Sequence, residues 1–357
     1  MNNLNEVIEH FAKDEGFKII RKLGKGGGGD VWEIDLKNKK FGAKLFHIKS
    51  KESIYESTEI NEFRGPGIIK INKYIEKKID DQKYGLILME KAKLKSLDNL
   101  ITHLYKDNYF CLIYKAPFEI IGENLLRFFT KNIMSGLEIL NRANFIHFDI
   151  KPQNILICSE LITKITDFGM LRNPDKIKCK GEKGKVIIPG GTNGFFPPEY
   201  FQENCKVDVE ISKKFDYFAL GATLFFMKYG KMLLDNKIYE DPLIEANNII
   251  EFLQKDKDII KSDKFSDKGF KEFLCSLIHY KPEERPDFEK IYRNKWLNKN
   301  LEEINEIFEI YEQDEKKLML ELDKSDFLLS KKDRIDRNQK TNSKKINRHK
   351  FVFKPKK

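Results

Sequence analysis

The chain has 357 residues, of which 40% are hydrophobic and 34% are charged, so it can bury a core beneath a polar surface. Its five cysteines are scattered without a CxxC pair, which argues against a disulfide framework and against a zinc site. No run approaches the roughly 18 apolar residues of a membrane-spanning helix. Residues 1–16 lack the pattern of a secretory signal. These features predict an intracellular protein, in the cytoplasm or alternatively in the nucleus.

The net charge of +10 is concentrated at the end of the chain. Residues 331–357 contain 12 Lys or Arg against 2 Asp or Glu, whereas residues 301–330 contain 10 acidic and 3 basic residues. We predict an acidic amphipathic helical extension at 298–330 and a basic, disordered tail at 331–357. The tail could bind anionic partners, or it could simply be solvated. Few aromatic residues are interleaved with its basic ones, so nucleic acid is not favoured.

Taken in chain order, the sequence begins with an N-terminal segment, 1–16, to which we assign no role. Alternating apolar runs and turn signals then predict antiparallel strands at 17–20, 31–34, 41–46, 68–75 and 85–89, with one helix at 52–63. After Ala92 a periodicity of 3.6 residues predicts helices at 124–144, 215–227, 241–253 and 268–279. The fold class is therefore α+β. The apolar stretch at 111–121 is treated as an insertion of unknown role.

A glycine cluster at 24–29 lies between two predicted strands and includes Gly24, Gly26 and Gly29. Glycines allow a backbone to approach phosphate oxygens closely, so that its N–H groups can bind the anion. A cluster of this kind is more often a flexible turn. No helix follows it directly, which argues against a dinucleotide-binding site.

Lys44 lies in a predicted strand directly after Ala43, in an apolar context. An ammonium group there requires an anionic partner to offset the cost of desolvation. Glu56 on the following predicted helix is the preferred partner, and Glu59 lies one turn away on nearly the same face.

A second group of polar residues lies in the middle of the chain. Residues 147–154 read His-Phe-Asp-Ile-Lys-Pro-Gln-Asn, and 18 residues after Asp149 comes Asp167-Phe-Gly. Here the sequence resembles the protein kinase family, over about 17–297. The resemblance implies that Asp149 is the catalytic base and that Lys151 contacts the γ-phosphate of ATP. It further implies that Asn154 and Asp167 hold Mg²⁺ and that Lys44 binds the α- and β-phosphates.

The resemblance also implies the bilobal protein kinase fold. A small lobe at about 17–90 would contain an antiparallel sheet and one main helix. A hinge at 91–93 would connect it to a larger helical lobe at about 94–297. The expected nucleotide contacts are Leu23, Gly24, Gly26, Gly29, Val31, Ala43, Lys44, Glu56, Met89, Glu90, Ala92 and Leu156.

Further matches concern structural positions and substrate class. Glu199 and Arg285 occupy the positions of the family's buried ion pair in the large lobe, and Asp216 matches a carboxylate that braces the catalytic loop. Lys151 and Thr192 favour serine or threonine as the acceptor in protein substrates, with dual specificity open. The expected reaction is therefore transfer of the γ-phosphate of Mg-ATP to these hydroxyls.

Three departures from the family pattern bear on regulation. Phe148 replaces the arginine that commonly precedes the catalytic Asp, and residues 170–191 contain no Ser, Thr or Tyr. We therefore hypothesise that activity does not require activation-loop phosphorylation. The same loop is rich in lysine, which indicates either a solvated loop or a preference for acidic substrates. Gly28 stands where the glycine loop of the family usually carries an aromatic residue at its tip. Its absence predicts that the glycine loop is a more mobile lid.

Two other functions remain open at this point. A pseudokinase with the same fold would serve as a nucleotide-binding scaffold, and Phe148 and the unusual glycine loop favour it. Lys44, Asp149, Asn154 and Asp167 are all present, which favours an active enzyme. A small-molecule kinase is disfavoured by the segment 192–199 and by Arg285. Neither the oligomeric state nor the physiological substrate follows from the sequence.

Overall fold

The computed structural model describes residues 3–26, 28–48, 63–106, 122–179, 184–201, 206–230, 232–233 and 267–299. The strands are β1 Lys18–Gly26, β2 Gly29–Leu36, β3 Lys39–His47, β4 Ile71–Ile79, β5 Gln82–Glu90, β6 Ile155–Ile157, β7 Thr163–Ile165, β8 Lys185–Ile187 and β9 Lys206–Asp208. The α-helices are α1 Leu4–Glu15, α2 Leu97–Lys106, α3 Glu123–Arg142, α4 Val209–Ser212, α5 Phe215–Tyr229, α6 Lys268–Leu277 and α7 Phe288–Tyr292. Single 3₁₀ turns occur at Pro152–Asn154, Ser159–Leu161, Phe168–Met170, Pro174–Lys176, Pro198–Phe201 and Pro282–Glu284.

The small lobe is built on a five-stranded antiparallel sheet with the order β1-β2-β3-β5-β4. Two-residue turns join β2 to β3 and β4 to β5. Both central residues of each turn have positive φ, as in the hairpin turns that match the twist of a sheet. The predicted strands are confirmed, but β4 begins at Ile71 and continues to Ile79. Its charged second half is exposed at the sheet edge, and such residues protect an edge from pairing with other chains.

Helix α1 covers one face of this sheet. Asn3 caps its first turn, where the side-chain oxygen accepts from the N–H of Asn5 at 3.2 Å, and Gly16 ends it in the left-handed conformation. The apolar residues Val7, Ile8, Phe11 and Ala12 follow the helical period and are buried against β1, β2, β3 and β5. Residues 3–16 therefore belong to the core of the small lobe.

The large lobe is mainly helical around α3 and α5. Helix α5 is buried on nearly all sides, and α6 packs against it, with Leu277 close to Gly221 and the ring of Phe270 beneath Lys228. The predicted helices at 124–144, 215–227 and 268–279 are confirmed to within two residues at each end. The result is the expected α+β architecture of two lobes.

Among the described residues, backbone hydrogen bonds join the lobes at two places. The first is residues 90–96, here named the connecting segment, which joins β5 to α2. In it the N–H groups of Lys93 and Leu94 both donate to the carbonyl oxygen of Ile157 at 3.0 Å. The second is the 63–70 loop before β4, where the N–H of Ile69 donates to the carbonyl oxygen of Ile165 at 2.9 Å. In this loop Gly67 packs directly on Gly136 of α3, where a Cβ on either glycine would overlap with the other's backbone.

Several predicted segments lie outside the described residues: the helices at 52–63 and 241–253, the insertion at 111–121 and the tail from 300 onward. Of the helices in the described ranges, none is both long enough and apolar enough to cross a membrane.

Candidate active site

An ion pair between the two lobes marks the cleft. Lys44 on β3 of the small lobe donates from Nζ to Oδ1 of Asp167 in the large lobe at 2.8 Å. Lys44 itself is buried, whereas 36% of the Asp167 side chain is exposed. Gly28 lies close above this pair, because a Cβ built on it would be 3.4 Å from Lys44 Nζ and 3.5 Å from Asp167 Oδ1. The glycine loop therefore covers the ion pair.

Asp149 lies at the centre of a hydrogen-bonded cluster. Its Oδ2 accepts from Lys151 Nζ and from Asn154 Nδ2, both at 2.8 Å, and its Oδ1 accepts from Thr192 Oγ1 at 2.6 Å. Lys151 Nζ also donates to Thr192 Oγ1 at 2.5 Å. The carboxylate is thus held in one orientation by residues that the sequence separates by up to 43 positions.

The backbone before Asp149 is strained and braced from below. Phe148 has φ of 61°, a left-handed conformation that is unusual for a bulky side chain. Asp216 at the start of α5 accepts from the N–H of His147 at 2.7 Å and from that of Phe148 at 2.9 Å. Burial raises the pKa of Asp216, while the nearby His147 and these two N–H groups oppose the rise. These two hydrogen bonds agree with the expectation that Asp216 braces the backbone before Asp149.

Asp167 and Asn154 offer oxygen atoms suited to a hard cation. Burial alone would raise the pKa of Asp167, but the charge and hydrogen bond of Lys44 dominate and lower it to about 2. Its carboxylate is therefore ionised at neutral pH. Asn154 donates its amide N–H to Asp149, so its carbonyl oxygen is the atom available to a cation. One carboxylate and one amide oxygen fit Mg²⁺, which takes few protein ligands and keeps waters or phosphate oxygens in its remaining positions.

Comparison with known proteins agrees with this geometry. A family model described as the protein kinase domain matches residues 17–297. The chain belongs to the protein kinase family. Among its relatives is an Aurora kinase of Eremothecium gossypii, 25% identical over 285 residues that cover 80% of this chain and 70% of the relative.

Two other relatives of this kinase are matched over shorter regions. A calcium/calmodulin-dependent protein kinase kinase of Emericella nidulans is 28% identical over 177 residues, covering 48% of this chain and 30% of the relative. A cysteine-rich receptor-like protein kinase of Arabidopsis thaliana is 29% identical over 222 residues, covering 61% of this chain and 33% of the relative. The chain thus spans about a third of the length of these two curated relatives.

Most of the expected nucleotide contacts lie on the strands and the connecting segment near the Lys44–Asp167 ion pair. Val31 lies opposite Lys44 in the β2–β3 pairing, and Leu23 precedes the glycine loop on β1. Leu156 on β6, on the large-lobe side, pairs with Ser96 of the connecting segment. The other expected contacts in described ranges belong to the glycine loop, to the end of β5 and to the connecting segment: Gly24, Gly26, Gly29, Met89, Glu90 and Ala92. Glu56 lies outside the described residues.

Ala43 is placed away from the cleft, contrary to the expectation from the sequence. Successive side chains of a strand point to opposite faces, so Ala43 and its neighbour Lys44 cannot face the same side. Ala43 is instead buried in the core beneath α1, together with Trp32 and Phe11. Gly42, two residues before Lys44, occupies the cleft face, and counting in steps of two from Lys44 would have identified it.

An apolar cluster connects the loop that carries Asp149 to residues 184–201 and 206–207. Phe148 is buried in it, and its ring contacts that of Phe215 with centroids 5.4 Å apart. The other buried members are Ile146, Val186, Ile188, Phe196 and Val207. Strand β8 also pairs with β9, so that Val186 faces Val207. This segment is therefore packed against Phe148 by apolar contacts.

The predicted ion pair of the large lobe is present and deeply buried. Arg285 binds both carboxylate oxygens of Glu199, through Nη1 to Oε1 at 2.5 Å and through Nη2 to Oε2 at 2.7 Å. The guanidinium also lies 4.9 Å from the centre of the Phe218 ring, and its Nε donates to the carbonyl oxygen of His279. Bidentate geometry and these extra contacts offset the cost of burying both charges.

Proposed function

We propose that this chain is an active protein kinase that transfers the γ-phosphate of ATP to serine or threonine in protein substrates. The observation that carries the proposal is the convergence of two groups in one cleft. One is the Lys44–Asp167 ion pair, and the other is the Asp149–Asn154–Lys151 cluster. These are the residue types that phosphoryl transfer requires. Among the described residues, Lys151 is the one side chain that forms an ion pair with Asp149.

Each residue has a distinct part in the proposed mechanism. Lys44 would bind the α- and β-phosphates, and the N–H groups of the glycine loop would cover them. Asp149 would orient the substrate hydroxyl and accept its proton, while Lys151 would place a positive charge beside the transferred group. Asn154 and Asp167 would hold Mg²⁺, which when bound supplies positive charge at the phosphate oxygens. Catalysis would then come from positioning and electrostatics rather than from a covalent intermediate.

We also propose that activity does not depend on phosphorylation of the segment 170–191. A phosphate on such a segment commonly acts by pairing with arginine, and this chain has Phe148 at that position and no hydroxyl in the segment. The apolar cluster around Phe148 supports the idea, because it offers a different means of holding the segment. Phosphatase treatment should leave activity unchanged. Loss of activity together with loss of a phosphate mapped to 170–192 would contradict the proposal.

The substrate preference is proposed to be acidic. Lys185 lies on β8, Lys178 bridges to that strand, and Lys206 lies on the neighbouring β9. Lys185 and Lys206 share the solvent-facing side of the β8–β9 pair with Asp208. Lys178 is paired with Asp175 at 2.8 Å, which reduces its share of the positive charge. A peptide array should show enrichment of Asp or Glu near the acceptor, and an array without such enrichment would remove the idea.

The decisive experiment compares phosphate transfer by the wild type with transfer by Asp149→Asn. Both would receive Mg-ATP and either a generic basic protein or casein. Loss of the base should reduce the rate by about 10²–10⁴-fold. If the wild type binds ATP but transfers nothing, the alternative of a pseudokinase scaffold is favoured. Phosphoserine and phosphothreonine in the product would support the proposed specificity, whereas phosphotyrosine alone would exclude it.

The proposed catalytic domain comprises residues 17–297, with the small lobe at about 17–90 and the hinge at 91–93. The proposed extension at 298–330 and basic tail at 331–357 fall almost wholly outside the described residues. A fragment ending at residue 299 that keeps full activity would support this division.

A further inference from the structure

Glu33 is a buried carboxylate on the cleft face of the small-lobe sheet. It lies opposite Gly42 in the β2–β3 pairing, and Gly42 lies opposite Met89 in the β3–β5 pairing. The next row along the strands contains Val31 and Lys44. Only 2% of Glu33 is exposed. A Cβ built on Gly42 would lie 3.2 Å from Cγ of Met89, so the side chain of Met89 packs close to this glycine.

Three cations from three different parts of the small lobe surround this carboxylate. Lys91 of the connecting segment donates from Nζ to Oε1 at 2.7 Å, and Arg21 of β1 donates from Nε to Oε2 at 2.9 Å. Lys40 of β3 is further away, with Nζ 3.7 Å from Oε1. Burial alone would raise the pKa of Glu33, but Lys91 and Arg21 outweigh it and lower the pKa. The group is therefore ionised and satisfied in its buried position.

The contact with Lys91 adds a direct side-chain link between β2 and the connecting segment, which the backbone pairing of the sheet joins only through β3. Residues 93–95 of the connecting segment bond to Ile157 on the large-lobe side. Lys91 is instead bonded through its side chain to β2, next to Val31. Val31 and Gly42 lie on the cleft face of the sheet and are here named the roof. The contact with Lys91 thereby fixes this roof relative to the connecting segment, which borders the cleft.

We propose that Glu33 is a positioning residue for the nucleotide, acting through Lys91. This inference rests on the proposed function, because it assumes that the adenosine part of ATP binds between the roof, the connecting segment and Leu156. The Glu33–Lys91 ion pair sets the spacing of two of those three surfaces. A site held at the correct spacing loses less conformational freedom when the ligand binds, so the affinity is higher.

The test measures adenosine affinity together with steady-state kinetics in the full-length protein. Glu33→Gln and Lys91→Gln should each weaken adenosine binding by about three- to tenfold, which is less than the full loss of a charged hydrogen bond because neither side chain is proposed to contact the nucleotide itself. KM for ATP should rise by a similar factor while kcat stays within about twofold, because the adenosine contacts are equal in the ground and transition states. Lys91→Arg should restore the wild-type affinity.

The double variant and a matched control separate this mechanism from a general effect of charge. The adenosine affinity of Glu33→Gln/Lys91→Gln should equal that of whichever single variant has the lower affinity, since both changes break the same contact. Lys40→Gln removes a cation that is 59% exposed and more distant from the same carboxylate, and should leave the affinity unchanged. A double variant whose loss equals the product of the single losses would overturn the inference, as would an equal effect of Lys40→Gln.

The outcomes also distinguish this inference from the proposed function. Transfer and adenosine binding that are normal in the wild type but unaffected by Glu33→Gln and Lys91→Gln would overturn the inference and leave the function intact. A wild-type protein that binds neither adenosine nor ATP would overturn both. A fall in kcat at unchanged KM would show that Glu33 acts on the chemical step instead, and would likewise overturn the positioning role.

Discussion

Phe148 combines a left-handed backbone with a fully buried side chain. Its φ of 61° is maintained by the two N–H bonds to Asp216, and its ring lies in the cluster that includes Val186 and Ile188. An arginine at this position would therefore place a guanidinium among apolar side chains. The arginine that is usually associated with regulation in this family would therefore destabilise the fold at this position.

Substitution at Phe148 tests this interpretation. Phe148→Arg should lower the free energy of unfolding by about 3 kcal/mol or more, because a charge is buried without a partner. Phe148→Leu keeps the site apolar and should cost about 1–2 kcal/mol through lost volume. Urea unfolding of both variants measures the difference, and phosphate transfer should follow the same order. Equal stability of the two variants would contradict the apolar role of this position.

Cys158 directly follows strand β6 and is expected to be chemically inert. Burial, with a smaller contribution from the charge of Glu90, raises the pKa of its thiol to about 12. At pH 8 only about one thiol in 10⁴ would then be ionised, and the thiolate is the reactive form. Iodoacetamide at pH 8 should modify the half-buried Cys179 well before Cys158, as measured by mass spectrometry of the folded protein. In denaturant both should react, and faster reaction of Cys158 in the native protein would show that its burial is wrong.

At the scale of elements, α1 supports the strand that carries Lys44. Ala43 and Leu45 flank Lys44 on β3, and both are buried in the core that Phe11 of α1 completes. The face of β3 opposite the cleft is thus covered by α1. An N-terminal helix that the sequence analysis did not predict therefore stabilises the position of a proposed catalytic residue.

Truncation of Phe11 measures the contribution of α1. Phe11→Ala should lower the free energy of unfolding by about 3–5 kcal/mol, since the ring is fully buried and its removal leaves a cavity. Glu9→Ala on the exposed side of the same helix is the matched control and should change stability by less than about 0.5 kcal/mol. Urea denaturation checks both. A small effect of Phe11→Ala would mean that α1 is not part of the folded lobe.

The contact of Gly67 with Gly136 brings the 63–70 loop close to the backbone of α3. A Cβ on Gly136 would overlap with the carbonyl oxygen of Gly67 and would lie 2.9 Å from Ile165 Cδ1. Gly136→Ala should therefore destabilise the protein by about 1–3 kcal/mol, despite the higher helix propensity of alanine. Ser135→Ala on the same helix is the control and should be nearly neutral. Thermal unfolding separates the two, and a stabilised Gly136→Ala would contradict the close approach.

At the scale of the whole molecule, the proposed function predicts that nucleotide and metal stabilise the fold together. A ligand at 100 times its Kd stabilises the native state by about 2.7 kcal/mol. Mg-ATP should raise the unfolding temperature more than ATP with a chelator does, because Asn154 and Asp167 would bind the metal beside the phosphates. Asp167→Asn should remove most of the additional shift from Mg²⁺. Equal shifts with and without Mg²⁺ in the wild type would contradict the metal site.

The sequence predicted the architecture and the proposed catalytic residues because both depend on local patterns. Residues 147–154 and 167–169 have a characteristic order and spacing, and strand and helix periods are visible within short windows. Ala43 was misplaced because the face of a strand is decided by its alternation relative to Lys44, which the motif alone does not specify. Glu33 was missed because its partners Arg21, Lys40 and Lys91 are brought together only by the sheet. α1 was missed because its short apolar face is stabilised by packing on the sheet, which is not visible in the sequence of the segment itself.

The two attachments between the lobes limit how the cleft can open. A body held at two separate points keeps essentially one degree of freedom, which is rotation about the line through those points. The connecting segment and the Gly67–Gly136 contact define such an axis here. Lys44 and Asp167 lie on opposite sides of the cleft, so a rotation that separates these two sides would lengthen their 2.8 Å contact. The separation of this one pair of atoms is thus a direct measure of the opening angle of the enzyme.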